Sequence, residues 1–177
     1  AIVAGVMSLF VTLGPFHTIA EKFNPKVIIS AWHNRKVRLA YAGYLGHMWE
    51  LYTFWAFVPM MLTTYLHLHS NQTLNISLLS FLIIAIGSLS CIFGGYISLK
   101  IGSLKTAFYA LFISGLCCLF SPFIFYSSPF LFLGFLFLWG MAVVADSPQF
   151  STIIAQSAPE KLKGSALTIV NSLGFST

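Results

Sequence analysis

LAYAGYLGHMWELYTFWAFVPMMLTTYL, residues 39–66, is the stretch that decides the fold. One Asp, Glu, Lys or Arg interrupts it, Glu50. At about 1.5 Å per residue, a helix of that length crosses the roughly 30 Å of bilayer hydrocarbon with some tilt. A strand reading fails, because membrane barrel strands alternate polar and apolar positions over about ten residues. Three more such runs follow, at 74–99, 104–126 and 130–155, with shorter apolar runs at 1–13 and 165–177. The reading is an all-α, polytopic membrane helix bundle.

Composition agrees. Of 177 residues, 58% are hydrophobic and 7% charged, against about 25% charged in an ordinary soluble domain. So few charges cannot clothe a water-soluble globule, which excludes a soluble enzyme, a nucleic-acid binder and a disordered chain. The three cysteines, Cys91, Cys117 and Cys118, lie within apolar runs and imply no disulfide framework.

The basic excess, a net charge of +5, reads as a topology signal. The stretch 14–38 holds Glu21, Lys22, Lys26, Arg35, Lys36 and Arg38. The connection at 67–73 has no Lys or Arg, the next holds Lys100 and Lys105, and 127–129 has none. The last connection carries Glu160, Lys161 and Lys163. Basic and uncharged connections alternate, which places the basic ones in the cytoplasm and the chain in the cytoplasmic (inner) membrane. The Asn-X-Ser/Thr matches at Asn71 and Asn75 carry little weight in so short a loop. The first apolar run has no basic residues ahead of it, unlike a signal peptide. With the short final run at 165–177, this predicts an excerpt of a longer protein, 1–13 being the end of one span and 165–177 the start of another.

Two acidic groups, Glu50 and Asp146, stand inside the spans, with no Lys or Arg away from the span ends. A charge at the centre of a membrane helix costs about 2.5–3.5 kcal/mol on insertion scales, and such residues face a bundle interior or a wetted path. Gly43, Gly46, His47, Glu50, Phe54, Phe57 and Met61 fall on one helical stripe, with His47 and Glu50 an i,i+3 pair. Burial and mutual attraction act oppositely on both groups. The pair reads either as a proton-coupling or substrate-contact device or as a structural hydrogen bond. Trp49, Tyr52 and Trp55 form either a binding wall or a packing surface.

Trp139, Ala142, Asp146, Gln149, Phe150 and Ile153 share a face of the 130–155 run. Pro148 cannot donate to the Val144 carbonyl, so the helix is expected to break or kink beside Asp146. Broken helices beside carboxylates recur in transporters, and a packed kink is the alternative. Gly87, Cys91 and Gly95 make a small-residue face for close helix contact. His67-X-His69 has metal-ligand residue types but lacks a third ligand. With His47 the sole histidine inside a span, a bis-histidine haem site is not expected. No cofactor, metal, catalytic residue or nucleic-acid partner is predicted.

Two segments resemble a bacterial branch of the major facilitator superfamily: NRKVRLAYAGYLGHMWELYTFWAF, 34–57, and ADSPQFSTIIAQSAPEKLKGSALTIVNSLGF, 145–175. The first is similar to the opening of that branch's seventh helix. The second is similar to its tenth helix, the loop after it and its eleventh helix. The superfamily loop signature G-x-x-x-D-R-x-G-R has an echo from Gly95 to Ser103, where Gly95, Lys100 and Gly102 fit while Leu99 and Ser103 depart. The resemblance implies a twelve-helix secondary transporter of two six-helix halves that rock about a site near the midplane. This chain would run from the end of the sixth helix into the eleventh. The 14–38 stretch becomes the cytoplasmic linker, Gly95, Lys100 and Gly102 a gating loop, and the absent N-terminal half a partner. Glu50 with His47 would contact solute or couple protons, and Asp146 and Gln149 would line the inner half of the path. The expected cargo is a small solute, an anion by analogy with the nitrate, nitrite and cyanate permease-like labels of that branch, although its glycine-rich nitrate signatures are absent from these helices. Two alternatives stay open. A membrane enzyme using Glu50, His47 and Asp146 as acid–base groups predicts a denser polar cluster. A non-transporting subunit predicts a reading frame with no matching first half.

Overall fold

A computed structural model describes residues 2–10, 35–71, 73–158 and 163–176. The linker's Glu21, Lys22 and Lys26, together with Glu160 and Lys161, lie outside the described residues. The described chain forms helices α1 (Ile2–Ser8), α2 (Arg35–Leu68), α3 (Ile76–Ile101), α4 (Ser103–Ile124), α5 (Pro129–Ala145), α6 (Ser147–Ser157) and α7 (Lys163–Ser176). There is no strand among the described residues.

Local chemistry sets the ends. Asn75 caps α3 by accepting the Leu78 N–H at 3.0 Å. Gly102 is the whole connection between α3 and α4, at φ +88°. A side chain is strained in that left-handed region, so glycine belongs there. Pro129 opens α5 at a position whose N–H has no helical acceptor. Helix α2 starts at Arg35, inside the stretch read as linker, so Arg35 and Arg38 stand on its first turn.

Three described segments are long and apolar enough to cross a membrane: Ile76–Ile101, Ser103–Ile124 and Pro129–Ser157. Helix α2, 34 residues long, is not among them. Its Gly, Tyr, Thr, His and Glu positions lower its hydropathy, and one face of it is enclosed by protein. Tyr41, Tyr44, His47, Met48, Leu51, Phe54, Val58, Leu62 and Tyr65 are all buried.

The bundle is oilier outside than a soluble protein. Phe81, Leu89, Ile92 and Phe93 of α3 are exposed, as are Phe108, Phe112, Leu119 and Phe123 of α4. Its buried polar side chains are His47, Ser80, Ser90, Thr106, Ser114, Asp146 and Gln149. Lipid satisfies the first set, and protein partners must satisfy the second.

Helices α3 and α5 approach most closely. A Cβ on Gly140 would sit 2.6 Å from the Ile83 carbonyl oxygen, and one on Gly87 2.6 Å from Val144 Cγ2. Gly94 completes the seam, its added Cβ 2.9 Å from the Ala145 carbonyl. The expected stripe of Gly87, Cys91 and Gly95 is thus corrected at its last member: Gly95 faces open space. Between helices α5 and α6 the backbone is interrupted at Asp146, as Pro148 predicts. The Val144 carbonyl, which Pro148 cannot reach, receives the Cys91 thiol at 3.9 Å. Near one end of α2, Tyr65 stacks between His69 (4.2 Å) and Phe132 (4.0 Å) and donates to the Ser127 carbonyl at 2.8 Å. His69 is thereby a packing residue. Among the described residues no group of three His, Cys, Asp or Glu could hold a metal ion.

Candidate functional site

Both span carboxylates turn into the bundle, and they do so at two separate sites. Helix α2 projects His47 and Glu50 one turn apart, so they leave the helix toward different neighbours. His47 Nδ1 lies 2.9 Å from Asp146 Oδ1, with the two side chains 0% and 1% exposed. Sequence spacing suggested a His47–Glu50 pair; the tertiary fold instead gives His47 a carboxylate from the α5–α6 interruption. The break matters here, because it ends one helix and starts the next at the residue that meets α2.

The pair is sealed by rings. Phe150 packs 5.8 Å from the His47 ring centroid and Tyr44 6.1 Å from it. Tyr44 donates to Asn171 Oδ1 at 2.6 Å, which ties this corner to α7. Gln149, also buried, sets its amide nitrogen against Gly94, 3.7 Å from where a Cβ would stand. His47 Nε2 and Asp146 Oδ2 are buried with no hydrogen-bond partner among the described residues. A carboxylate and an imidazole are thus enclosed together inside the bundle, where each depends on the other for its polar contact.

Glu50 accepts a hydrogen bond from the Ser114 hydroxyl of α4, and Ser114 in turn accepts the Trp139 indole N–H at 3.1 Å. Trp139 is held by Phe54 at 5.1 Å and Phe135 at 5.8 Å between ring centroids. The three-residue chain crosses from α2 through α4 to α5. It stands on the wall of a cleft of about 760 Å³ between α2 and α4, whose lining includes Trp49, Glu50, Thr53, Phe57, Ser121 and Trp139. Ser114 was invisible in the sequence: a lone serine in an apolar run carries no period or motif.

Of the aromatic wall, Trp49 lines this cleft, while Tyr52 lies edge-on to Trp55 at 5.8 Å and near Phe175 at 6.2 Å. The Trp55 indole nitrogen is buried without a hydrogen-bond partner among the described residues. The loop-signature residues sit at the far end of α3. Gly95 and Lys100 belong to its last two turns, Gly102 is the turn itself, and Lys100 is exposed.

A helical bundle with an apolar exterior and polar and titratable groups turned inward belongs to the class of polytopic membrane proteins. A family model described as Major Facilitator Superfamily matches residues 1–177, and the chain belongs to that superfamily of membrane transporters. No curated protein and no solved structure matches the chain.

Proposed function

We propose that this chain supplies part of a proton-coupled secondary transporter of the cytoplasmic membrane, moving a small solute by alternating access opposite a second six-helix half. The observation that carries the reading is the buried His47–Asp146 pair, set where a membrane-spanning helix is interrupted. Burying an ionisable pair carries a desolvation penalty, and intramembrane carboxylates recur in proton relays. Glu50 is the coupling carboxylate that reaches the cleft, and His47–Asp146 is the pair that senses which way the helices lean. Gln149 and Asp146 stand at the inner half of the path. Gly95, Lys100 and Gly102 form the cytoplasmic turn that moves with α3 and α4. An anion is the solute class suggested by resemblance.

The test uses the full-length polypeptide in vesicles loaded with a pH-sensitive dye. Nitrate, nitrite, cyanate, acetate and small amines are added in turn, and solute-driven proton movement is recorded. Wild type moves protons with at least one solute. Glu50→Gln abolishes the proton signal while leaving downhill exchange of the solute, and Asp146→Asn abolishes the proton signal. Coupling unchanged in both variants overturns the proposal.

A further inference from the structure

Resting on the reading of Glu50 as the coupling carboxylate, we propose that Ser114 and Trp139 are its positioning residues. They hold Glu50 Oε1, so that Oε2 is the atom that takes up and gives back the proton. Serine and threonine hydroxyls inside helices ordinarily turn back on their own backbone. Ser88, Ser90, Ser98, Thr106 and Ser121 do so, each donating to a carbonyl three or four residues earlier. Ser114, 1% exposed and in the middle of α4, departs from this pattern: its hydroxyl crosses to Oε1 of Glu50 on α2.

Trp139 sets the direction of that bond. An indole N–H can only donate, so at 3.1 Å from Ser114 Oγ it takes that oxygen as its acceptor. The single hydroxyl hydrogen of Ser114 is then left for the carboxylate, and the chain runs one way, from Trp139 through Ser114 to Glu50. Phe54 and Phe135 hold the indole ring in place. One hydroxyl hydrogen occupies one carboxylate oxygen and leaves the other. With Oε1 receiving Ser114 whether Glu50 is charged or neutral, the proton goes to Oε2. The ionisable groups around it are accounted for among the described residues: His47 and Asp146 engage each other at 2.9 Å, and Cys118 of α4 lines the cleft beside Glu50. A carboxylate on a rotatable stem would otherwise present either oxygen in several directions, and fixing it beforehand removes that cost from the transfer step.

Two readouts on the full-length polypeptide test the assignment. Acid-minus-neutral difference infrared spectra of wild type and Glu50→Gln isolate the carboxyl band of Glu50. Ser114→Thr and Ser114→Val give side chains of the same shape, one with a hydroxyl and one with a methyl in its place. Ser114→Val is expected to move the C=O stretch to higher frequency, the mark of a carbonyl that has lost its donor, and Ser114→Thr to leave it at the wild-type position. Trp139→Phe keeps a ring and removes the N–H; it is expected to move the band the same way by less, and it decides the chain if Ser114→Val does not fold. In the dye-loaded vesicles, Ser114→Val is expected to lower solute-driven proton movement at least about tenfold and Ser114→Thr to stay within about twofold of wild type, the factor carried by a hydrogen bond to a charged group. Valine and threonine variants with the same band, or the same proton movement, overturn the role of Ser114, and an unmoved band in Trp139→Phe overturns that of Trp139. Wild type that moves no protons with any solute removes the coupling reading alone, because the infrared comparison still decides which oxygen Ser114 holds. A wild-type spectrum without a Glu50 band overturns both.

Discussion

Asp146 and His47 offer the sharpest test of how the bundle is held. Asp146→Asn replaces the carboxylate by an amide and takes away the negative partner of His47. His47→Leu leaves Asp146 without its sole ionic partner among the described residues. With exposures of 0% and 1%, neither remaining group can turn to water, so the loss is not screened. Breaking a buried pair from one side costs about 3–5 kcal/mol. Replacing both by leucine removes the desolvation cost together with the attraction, and Phe150 and Tyr44 already provide an apolar surround. The double variant is therefore expected within about 1 kcal/mol of wild type, a coupling of at least about 3 kcal/mol against the sum of the singles. The assay is detergent-driven unfolding of the full-length polypeptide in mixed micelles, followed by circular dichroism. Glu50→Gln, half-buried and keeping an acceptor for Ser114, is the control and should cost about 1 kcal/mol or less. Single variants that each lose under about 1 kcal/mol and add without coupling would refute the reasoning.

Helix packing and topology provide two more checks. Gly140→Ala places a Cβ 2.6 Å from the Ile83 carbonyl oxygen, so α3 and α5 must part by several tenths of an ångström. A loss of about 1–3 kcal/mol is expected in the same unfolding assay, whereas Gly134→Ala, which meets nothing within 4 Å, should be neutral or gain up to about 1 kcal/mol from helix propensity. In a background lacking the three native cysteines, Asn71→Cys should label with a membrane-impermeant maleimide from outside the cell and Lys100→Cys from inside; labelling of both from one side would contradict the loop-charge topology.

Much of the architecture was legible in sequence because a bilayer enforces it. Long apolar runs such as 74–99 must become helices when no water is available to the backbone, and Lys100 and Lys105 mark the side on which they turn. The break beside Asp146 was equally legible, since Pro148 lacks an N–H for Val144 whatever surrounds it. Gly102 was readable as a connector but not as the entire turn between α3 and α4.

Partner choice was not legible. Spacing alone set His47 beside Glu50, because i,i+3 neighbours share a helix face, yet a face one turn tall is wide enough to address two different helices. Side-chain charge and helix period, both local properties, told that these residues turn inward. Which group each one meets depends on how α2 leans across α4 and the α5–α6 break, and that lean follows from contacts far apart in the chain, such as Gly140 on Ile83 and Tyr44 on Asn171. The amino-acid order by itself therefore determined a membrane-crossing α-bundle with buried titratable groups. Tertiary packing alone joined Asp146 to His47 and brought Ser114 and Trp139 to Glu50, because close approach between distant helices is a property of the assembled surfaces and not of any one segment.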